Sequence, residues 1–394
     1  MASGTATYNN YFVPEQDLKY VPPYLNDVPE TPREVKCQTK GTWPNWLEGT
    51  FLRVGGGRFT IPLSEDGSKP KAVLQHFFDG LGLLHKFRMT NGEVHYSSRY
   101  TAEGVVRNAK KNGYISTTMF GLNANTPLKH AQDPCSALLG AQQSLFLPTG
   151  MIGPDEANIN VVPRRGMHLP PDFNPLSRGR PADNPEKEEV LVHTDFNLLQ
   201  VCDAKTLEPK RMITYAEIDP ELAGYGICAH PPKDRARGQT YNYIISKDGI
   251  MSVFALDIRA KPAKLLWKTP LPCPPCYIHS LAMTDRFVVF IRIPIHMDVS
   301  DTSKPVMEML VYEPKSPTQF FVLDKFTGKH VATYNGNGFM FFHSVNAYDF
   351  LDPKTNKVTI HVDLCSYEAG EVPYREYCFS NVLDPARPFV DGTL

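Results

Sequence analysis

Three strand-turn-strand units with a similar pattern recur along the chain, and a histidine follows each of them at a comparable distance. The units are NLLQVCDAKTLEPKRMITY (197–215), GIMSVFALDIRAKPAKLLW (249–267) and TQFFVLDKFTGKHVATY (318–334). Their turn aspartates are Asp203, Asp257 and Asp324, and His230, His279 and His343 follow them by 27, 22 and 19 residues. Residues at one phase of a radial repeat lie around one axis. The pattern therefore predicts three imidazoles that converge into a metal site.

Short runs rich in Val, Ile, Phe and Tyr occupy most of the chain and predict an all-β fold. The 35 prolines favour many loops and few long helices. The turn aspartates are 54 and 67 residues apart, which suits blades of four strands with insertions of variable length. We expect one β-propeller domain over residues 1–394, with the Pro-rich segment 167–187 as a surface insertion.

Charge and hydropathy exclude several classes of function. The chain has 41 Lys and Arg against 42 Asp and Glu, so nucleic acid is not an expected partner. Two short basic stretches, 163–166 and 233–237, are interpreted as solvated loops. No apolar run is long enough to span a bilayer, and the N-terminus does not resemble a secretory signal. These features predict a cytoplasmic protein.

One apolar segment, 136–153, has two interpretations. It is broken by polar residues and by Gly and Pro, so it is typical either of a core helix that covers the propeller or of an apolar mouth that dips into a lipid surface. On the second interpretation the protein is peripheral to a membrane, and the segment takes up a hydrophobic substrate from the lipid surface. The residues concerned are Cys135, Leu138, Leu139, Leu145, Phe146 and Leu147.

His230, His279 and His343, which occupy the same phase of the repeat, are called the phased histidines. Their surroundings favour metal binding over a charged imidazolium. The residues flanking His230 and His279 are apolar, where a buried charge is costly and a neutral, metal-bound imidazole is not. Imidazole ligands suit iron, copper or zinc, whereas Mg²⁺ and Ca²⁺ prefer oxygen. A ligating histidine normally gives its other N–H to a carboxylate or carbonyl. Asp195 is the best candidate for that partner, and capping of a turn is its alternative role.

Five motifs make the chain resemble the carotenoid cleavage oxygenase family, with fungal carotenoid-cleaving members nearest in character. The motifs are GTFLRVGGGRF (49–59), HFFDGLGLLHKF (76–87), AHPPKD (229–234), YIHSLAMTDRFVVF (277–290) and FFHSVNAYD (341–349). Three of them contain the phased histidines. They occur in the family's order, and the resemblance covers about residues 40–370.

The resemblance implies a seven-bladed propeller with a few helices and loops over the face where an apolar tunnel opens. It implies Fe(II) on the axis, held by four histidines including His230, His279 and His343, and cleavage of a conjugated C=C bond of a carotenoid or apocarotenoid by O₂ into two carbonyl products. Asp195 stands where the family generally has Glu beside a ligating imidazole. Cys135 resembles a cysteine that some members carry near a membrane-facing surface.

The resemblance also predicts that this chain is a C-terminally truncated member with an incomplete propeller. The fourth histidine is expected beyond Leu394, and His361 lies out of phase with the other three. On this view the 394-residue chain binds iron weakly and is inactive. Two alternatives remain open: a stilbene-cleaving dioxygenase of the same fold, and a metal-free propeller that serves as a binding module or is an inactive fragment.

Overall fold

A computed structural model gives the fold of most of the chain. It describes residues 25–69, 71–74, 76–115, 120–121, 152–171, 176–179, 181–298, 306–368 and 377–379. The first strands are β1 (Val35–Lys36), β2 (Gly49–Arg58), β3 (Thr60–Ile61), β4 (Ala72–Val73), β5 (Leu81–Thr90) and β6 (Glu93–Tyr100). Four of them form an antiparallel sheet in the order β1-β6-β5-β2, and β3 pairs with β4.

Two further antiparallel sheets of four strands follow in chain order. The second sheet contains β7 (Val162–Arg164), β8 (Glu189–His193), β9 (Leu199–Asp203) and β10 (Pro209–Ile213). The third contains β11 (Lys233–Asp234), β12 (Gln239–Ile245), β13 (Met251–Asp257) and β14 (Lys264–Pro270). In each sheet, strands that are consecutive in the chain are also hydrogen-bonded neighbours.

A fourth sheet and a long hairpin complete the described strands. The fourth sheet contains β15 (Ala282–Met283), β16 (Phe287–Arg292), β19 (Thr318–Asp324) and β20 (His330–Gly336). Between β16 and β19 the chain makes a small pair, β17 (Ile295–Met297) and β18 (Leu310–Tyr312). The hairpin is β21 (Phe339–Leu351) and β22 (Val358–Glu368). Successive four-stranded antiparallel sheets are the blades of a β-propeller, as predicted.

Helices are few and short. They are α1 (Glu103–Asn112), α2 (Pro185–Glu188) and α3 (Val306–Met309), with 3₁₀ turns at Phe77–Asp79, Tyr215–Glu217 and Pro220–Leu222. No helix in the described part of the chain is long and apolar enough to cross a membrane.

The turn aspartates of the repeat close the hairpins in the same way. Asp203 Oδ1 accepts hydrogen bonds from the backbone N–H groups of Lys205 and Thr206, at 2.9 and 2.8 Å. The equivalent bonds at Asp324 come from Phe326 and Thr327. Such side-chain-to-backbone bonds favour a turn over continued strand. Asp352 accepts a bond of the same kind, at 2.8 Å from the N–H of Lys354, so it marks a further turn of this type that the sequence repeat did not reveal.

The hydrophobic core lies between neighbouring sheets. Strand β13 shows why: all its residues from Met251 to Leu256 are buried, because both faces of the strand pack against a neighbouring blade. One cluster joins the first and second sheets, a second joins the second and third, and the largest joins the third and fourth to the hairpin. Fully burying a side chain such as Phe254 stabilises the fold by about 1.5–3 kcal/mol.

The segment 167–187 contacts the core at its beginning. Met167 and Leu169 are buried in the core between the second and third sheets. The carbonyl of Pro170 accepts a hydrogen bond from Arg211 of β10, and Pro185 is buried at the start of α2. Two apolar side chains thus anchor the beginning of the segment, despite its proline content.

Candidate metal centre

The three phased histidines meet at one point. His230 lies three residues before β11, His279 lies three residues before β15, and His343 is on β21. Each one therefore stands at or just before the first strand of a blade. The ring centroids are 4.7 Å apart for His230 and His279, 5.0 Å for His230 and His343, and 5.1 Å for His279 and His343. Their available nitrogen atoms all lie within 4.8 Å of one another.

Hydrogen bonds join the segments that carry the histidines. The backbone N–H of His230 donates to the carbonyl of His279 at 3.2 Å. The buried hydroxyl of Ser280 donates to the carbonyl of Phe342 at 2.8 Å and accepts from the N–H of Ser344 at 3.0 Å. The three imidazoles are thus positioned by the backbones of adjacent blades.

Asp195 lies two residues after the end of β8 and contacts two of the three histidine segments. Its carboxylate oxygens are 2.9 and 3.0 Å from Nδ1 of His279. One of them also accepts the backbone N–H of Ala229, the residue before His230, at 3.1 Å. Aspartate therefore reaches the ring directly, although its side chain is one methylene shorter than glutamate. Because Asp195 occupies Nδ1, the Nε2 atom of His279 is left for a metal.

Sequence reasoning missed Tyr277. Its buried hydroxyl donates to Asp195 at 2.8 Å and lies 3.2 Å from Nδ1 of His279. Burial raises the pKa of Tyr277 well above its usual value, with the Asp195 charge acting in the same direction, so the hydroxyl stays a donor. The sequence did contain one signal for it. Tyr277 lies two residues before His279, and residues two apart in an extended segment share a face.

The electrostatic environment keeps two of the imidazoles neutral. Burial lowers the pKa of His230 to about 3, and His279 and His343 act in the same direction. Burial likewise lowers the pKa of His343, although that side chain is the most exposed of the three. Neutral imidazoles offer lone pairs to a cation, so the donor set fits a metal that accepts nitrogen ligands.

A cavity of about 600 Å³ opens beside the histidines and is lined by both polar and aromatic side chains. His279, His343 and Asp195 form part of its wall, and Tyr277 lies with them. The aromatic part of the lining consists of Phe77, Phe78, Phe120, Phe196, Phe342, Tyr367 and Tyr377. Phe342 links the two regions, since its ring centroid is 5.6 Å from that of His279 and 6.0 Å from that of Phe78.

Asp79 is a buried carboxyl group in the wall of this cavity. Burial raises its pKa to about 7, while hydrogen bonds from the backbone N–H groups of Gly121 and Phe120 oppose the shift.

His361, which lies out of phase with the other histidines in the sequence, is not part of this group. His361 lies on β22, paired with Tyr348 and away from the three histidines, as its phase indicated. The residues of the apolar mouth lie outside the described part of the chain. They are Cys135, Leu138, Leu139, Leu145, Phe146 and Leu147.

Relatives of the chain include animal and fungal enzymes. It is 28% identical over 377 residues to the mitochondrial carotenoid-cleaving dioxygenase of Macaca fascicularis, with 90% of this chain and 59% of the relative covered. It is 28% identical over 372 residues to the carotenoid dioxygenase of Neurospora crassa, with 87% and 59% covered. The chain thus spans about 59% of the length of these relatives.

Solved structures show the same fold. A lignostilbene dioxygenase of Pseudomonas brassicacearum superposes with a TM-score of 0.54 at 20% identity, covering 86% of this chain and 60% of that one. A variant of the Synechocystis apocarotenoid oxygenase gives a TM-score of 0.57 at 17% identity, covering 86% and 71%. These likenesses confirm the predicted carotenoid oxygenase type of propeller.

The family described as Retinal pigment epithelial membrane protein matches residues 25–388, which is most of the chain. Carotenoid-cleaving dioxygenases of animals and fungi are among the relatives. The chain therefore belongs to this family, the carotenoid oxygenase family that its histidine motifs predicted.

Proposed function

We propose that the protein is an Fe(II)-dependent oxygenase that cleaves a conjugated C=C bond of a carotenoid or apocarotenoid into two carbonyl compounds. The observation that carries the proposal is the group of three imidazoles, with nitrogens within 4.8 Å of one another, two of which line a cavity that also has a cluster of aromatic side chains. Membership of the family and the names of the relatives support the same activity.

His230, His279 and His343 would hold the iron, with Asp195 and Tyr277 orienting His279. The donor set suits iron, copper or zinc, and the choice of iron rests on the family resemblance. A cobalt-substituted form of the Synechocystis relative is among the similar structures, which supports a resident metal in this fold.

When bound, the iron supplies O₂ activation, and both oxygen atoms end in the two carbonyl products. The chain's own residues would bind and orient the polyene. Phe78, Phe342 and Tyr377 would offer ring faces and edges to a rigid conjugated chain, and the apolar part of the wall would shield the reacting bond from water. Selection of one double bond would then follow from how far the polyene enters the cavity.

The test is turnover of candidate substrates by iron-loaded protein in detergent micelles. We expect the oxygenase to convert a β-apocarotenal into two carbonyl fragments that carry label from ¹⁸O₂ and to leave resveratrol intact. Turnover by the 394-residue chain itself would overturn the expectation that this chain is inactive. Cleavage of resveratrol with no cleavage of apocarotenals would instead indicate the stilbene-type enzyme.

A binding module is separated from an enzyme by the variant His279→Ala. An oxygenase should lose both iron and turnover in this variant. A metal-free binding module would keep its affinity for the polyene, measured by quenching of tryptophan fluorescence, and would show no turnover in either form.

A further inference from the structure

Two basic stretches that are far apart in the sequence meet in the folded protein. Arg164 and Arg165 come from the stretch 163–166 at the end of β7, and Lys233 and Arg235 come from 233–237 around β11. The ammonium group of Lys233 donates a hydrogen bond to the carbonyl of Arg165 at 2.8 Å. The two stretches therefore meet at one surface of the folded protein.

A pocket of about 340 Å³ opens at this surface, and most of the charged side chains in its lining are cationic. Lys233, Arg235 and Arg259 contribute full positive charges, and His168 adds an imidazole. Glu186 is the sole carboxylate that the described residues place in the lining. Its oxygen is 3.8 Å from Nζ of Lys233, too far for a short hydrogen-bonded ion pair. The lining thus carries a net positive charge.

Two nearby carboxylates are not part of the lining and make other contacts. Asp234 lies between Lys233 and Arg235 in the sequence, but its carboxylate pairs with Nζ of Lys325 at 2.9 Å. Asp257 accepts the backbone N–H of Arg259 at 2.9 Å, in the turn that follows β13. The acidic residues closest in sequence are therefore used to build the turns around the pocket.

Further positive charge lies next to the pocket. The side-chain Nε atoms of Arg164 and Arg165 are buried and have no hydrogen-bond partner among the described residues. Burial lowers the pKa of Arg164, and the charge of Arg235 acts in the same direction. Burial also lowers the pKa of Lys233. The Glu186 carboxylate opposes this shift, whereas the charges of Arg235 and Arg164 add to it. Like charges held this close together favour an anionic occupant.

The backbone at the pocket is held in defined turns. Gly166 and Gly238 both line the pocket and have φ values of +82° and +69°, which other residues rarely adopt. The N–H of Gly238 donates to the carbonyl of Asp234 at 2.8 Å, and the guanidinium of Arg259 donates to the carbonyl of Arg235 at 2.6 Å. A rigid frame of this kind keeps the cationic side chains together at little cost in entropy.

We propose that this pocket, distinct from the cavity beside the histidines, binds a phosphate group. A multiply charged tetrahedral oxyanion matches several cations of different geometry, of which the guanidinium groups bind it in a bidentate manner. The phosphate belongs either to a free small molecule or to a phospholipid headgroup. Both sources present the same chemistry to Lys233, Arg235 and Arg259.

The test compares variants that change the charge of the pocket in opposite directions. Isothermal titration calorimetry with inorganic phosphate, at constant ionic strength with chloride as the background anion, measures the dissociation constant. Arg235→Gln should weaken binding roughly tenfold, because it removes an exposed guanidinium donor. Glu186→Gln should tighten binding several-fold, because it removes the opposing carboxylate. Arg33→Gln, at an exposed arginine outside the pocket, is the matched control and should change nothing.

The headgroup source is tested by flotation with vesicles of phosphatidylcholine that do or do not contain phosphatidic acid. Selective binding to phosphatidic acid that is lost in Arg235→Gln assigns the phosphate to a headgroup, and binding of phosphate alone assigns it to a free ligand. Unchanged melting temperatures of the variants exclude misfolding. The proposal is overturned if neither probe binds, or if Arg33→Gln weakens binding as much as Arg235→Gln does.

Discussion

At the scale of the residue, the carboxylate of Asp195 connects two of the three histidine segments. It contacts the ring of His279 at 2.9 Å and the backbone N–H before His230 at 3.1 Å. A carboxylate in this position fixes the ring orientation and raises the basicity of the ligand nitrogen. A role for Asp195 beside a ligating imidazole was predicted from the sequence, but its particular partner, His279, and its second contact were not, because both depend on the register between blades.

Asp195→Asn should therefore lower the affinity for Fe(II) by roughly 10–100-fold. The amide keeps the shape of the side chain while removing the charge that orients His279. Anaerobic competition with a chromophoric chelator measures the affinity. Asp183→Asn, at an exposed carboxylate of the segment before α2, is the control. An Asp195→Asn variant with wild-type affinity would contradict the role assigned to this carboxylate.

His193, at the end of β8, makes a separate prediction about pH. It is buried, its Nδ1 has no hydrogen-bond partner in the described regions, and burial lowers its pKa to about 3, with Arg164 acting in the same direction. In the unfolded chain a histidine titrates near 6.5, so below that pH the unfolded state binds a proton that the folded state does not. The stability from His193 is thus complete above about pH 6.5 and is lost as pH falls toward 3.

The free energy of unfolding should fall by about 2 kcal/mol more in the wild type than in His193→Gln between pH 6.5 and 5. Urea unfolding at several pH values gives the difference, which isolates His193 from other groups. His330→Gln, on the outer strand β20, serves as the comparison variant. Parallel pH profiles for the wild type and His193→Gln would show that His193 does not titrate in this way.

At the scale of the element, the hydroxyl of Ser280 bonds to both residues that flank His343. Ser280→Ala removes both bonds, so the buried carbonyl of Phe342 and the N–H of Ser344 lose this partner. We expect the free energy of unfolding to fall by about 1–3 kcal/mol. Denaturant unfolding measures the loss. Ser366→Ala, at an exposed position of β22, should have little effect, and equal stability of the two variants would argue against the connection.

The repeated hairpins were predictable because one side chain determines their turns. An aspartate followed by backbone donors closes β9–β10 and β19–β20, and the apolar runs before these turns are buried between blades. The hairpin with the turn at Asp352 was not recognised as a unit of the repeat, because β21 and β22 are largely exposed over most of their length and lack the continuous apolar run of a buried strand. Tyr277 was not predicted because a single tyrosine does not recur with the sequence repeat.

At the scale of the whole molecule, the hairpin β21–β22 exposes an extended apolar surface. Val345 is 66% exposed, and Tyr348, Phe350 and Leu351 on the same strand are between 45% and 48% exposed. Within the described residues this hairpin has only two strands, so each has an unpaired edge. Apolar surface next to open strand edges favours association.

We expect the 394-residue chain to self-associate as its concentration rises, in sedimentation velocity experiments. The double variant Val345→Lys and Phe350→Lys should shift the distribution toward monomer, because charge on an exposed strand opposes pairing. Val331→Lys, at an exposed position of the outer strand β20, should leave the distribution unchanged. A wild-type chain that stays monomeric across the concentration range would contradict this prediction.

The central claim is that His230, His279 and His343 bind a single iron ion, and anaerobic titration of the purified chain with Fe(II) tests it most directly. We predict saturation at one ion per chain in the wild type and in His361→Ala, and loss of that binding in each of His230→Ala, His279→Ala and His343→Ala. Retention of the bound ion in any of these three variants, or its loss in His361→Ala, would contradict the account.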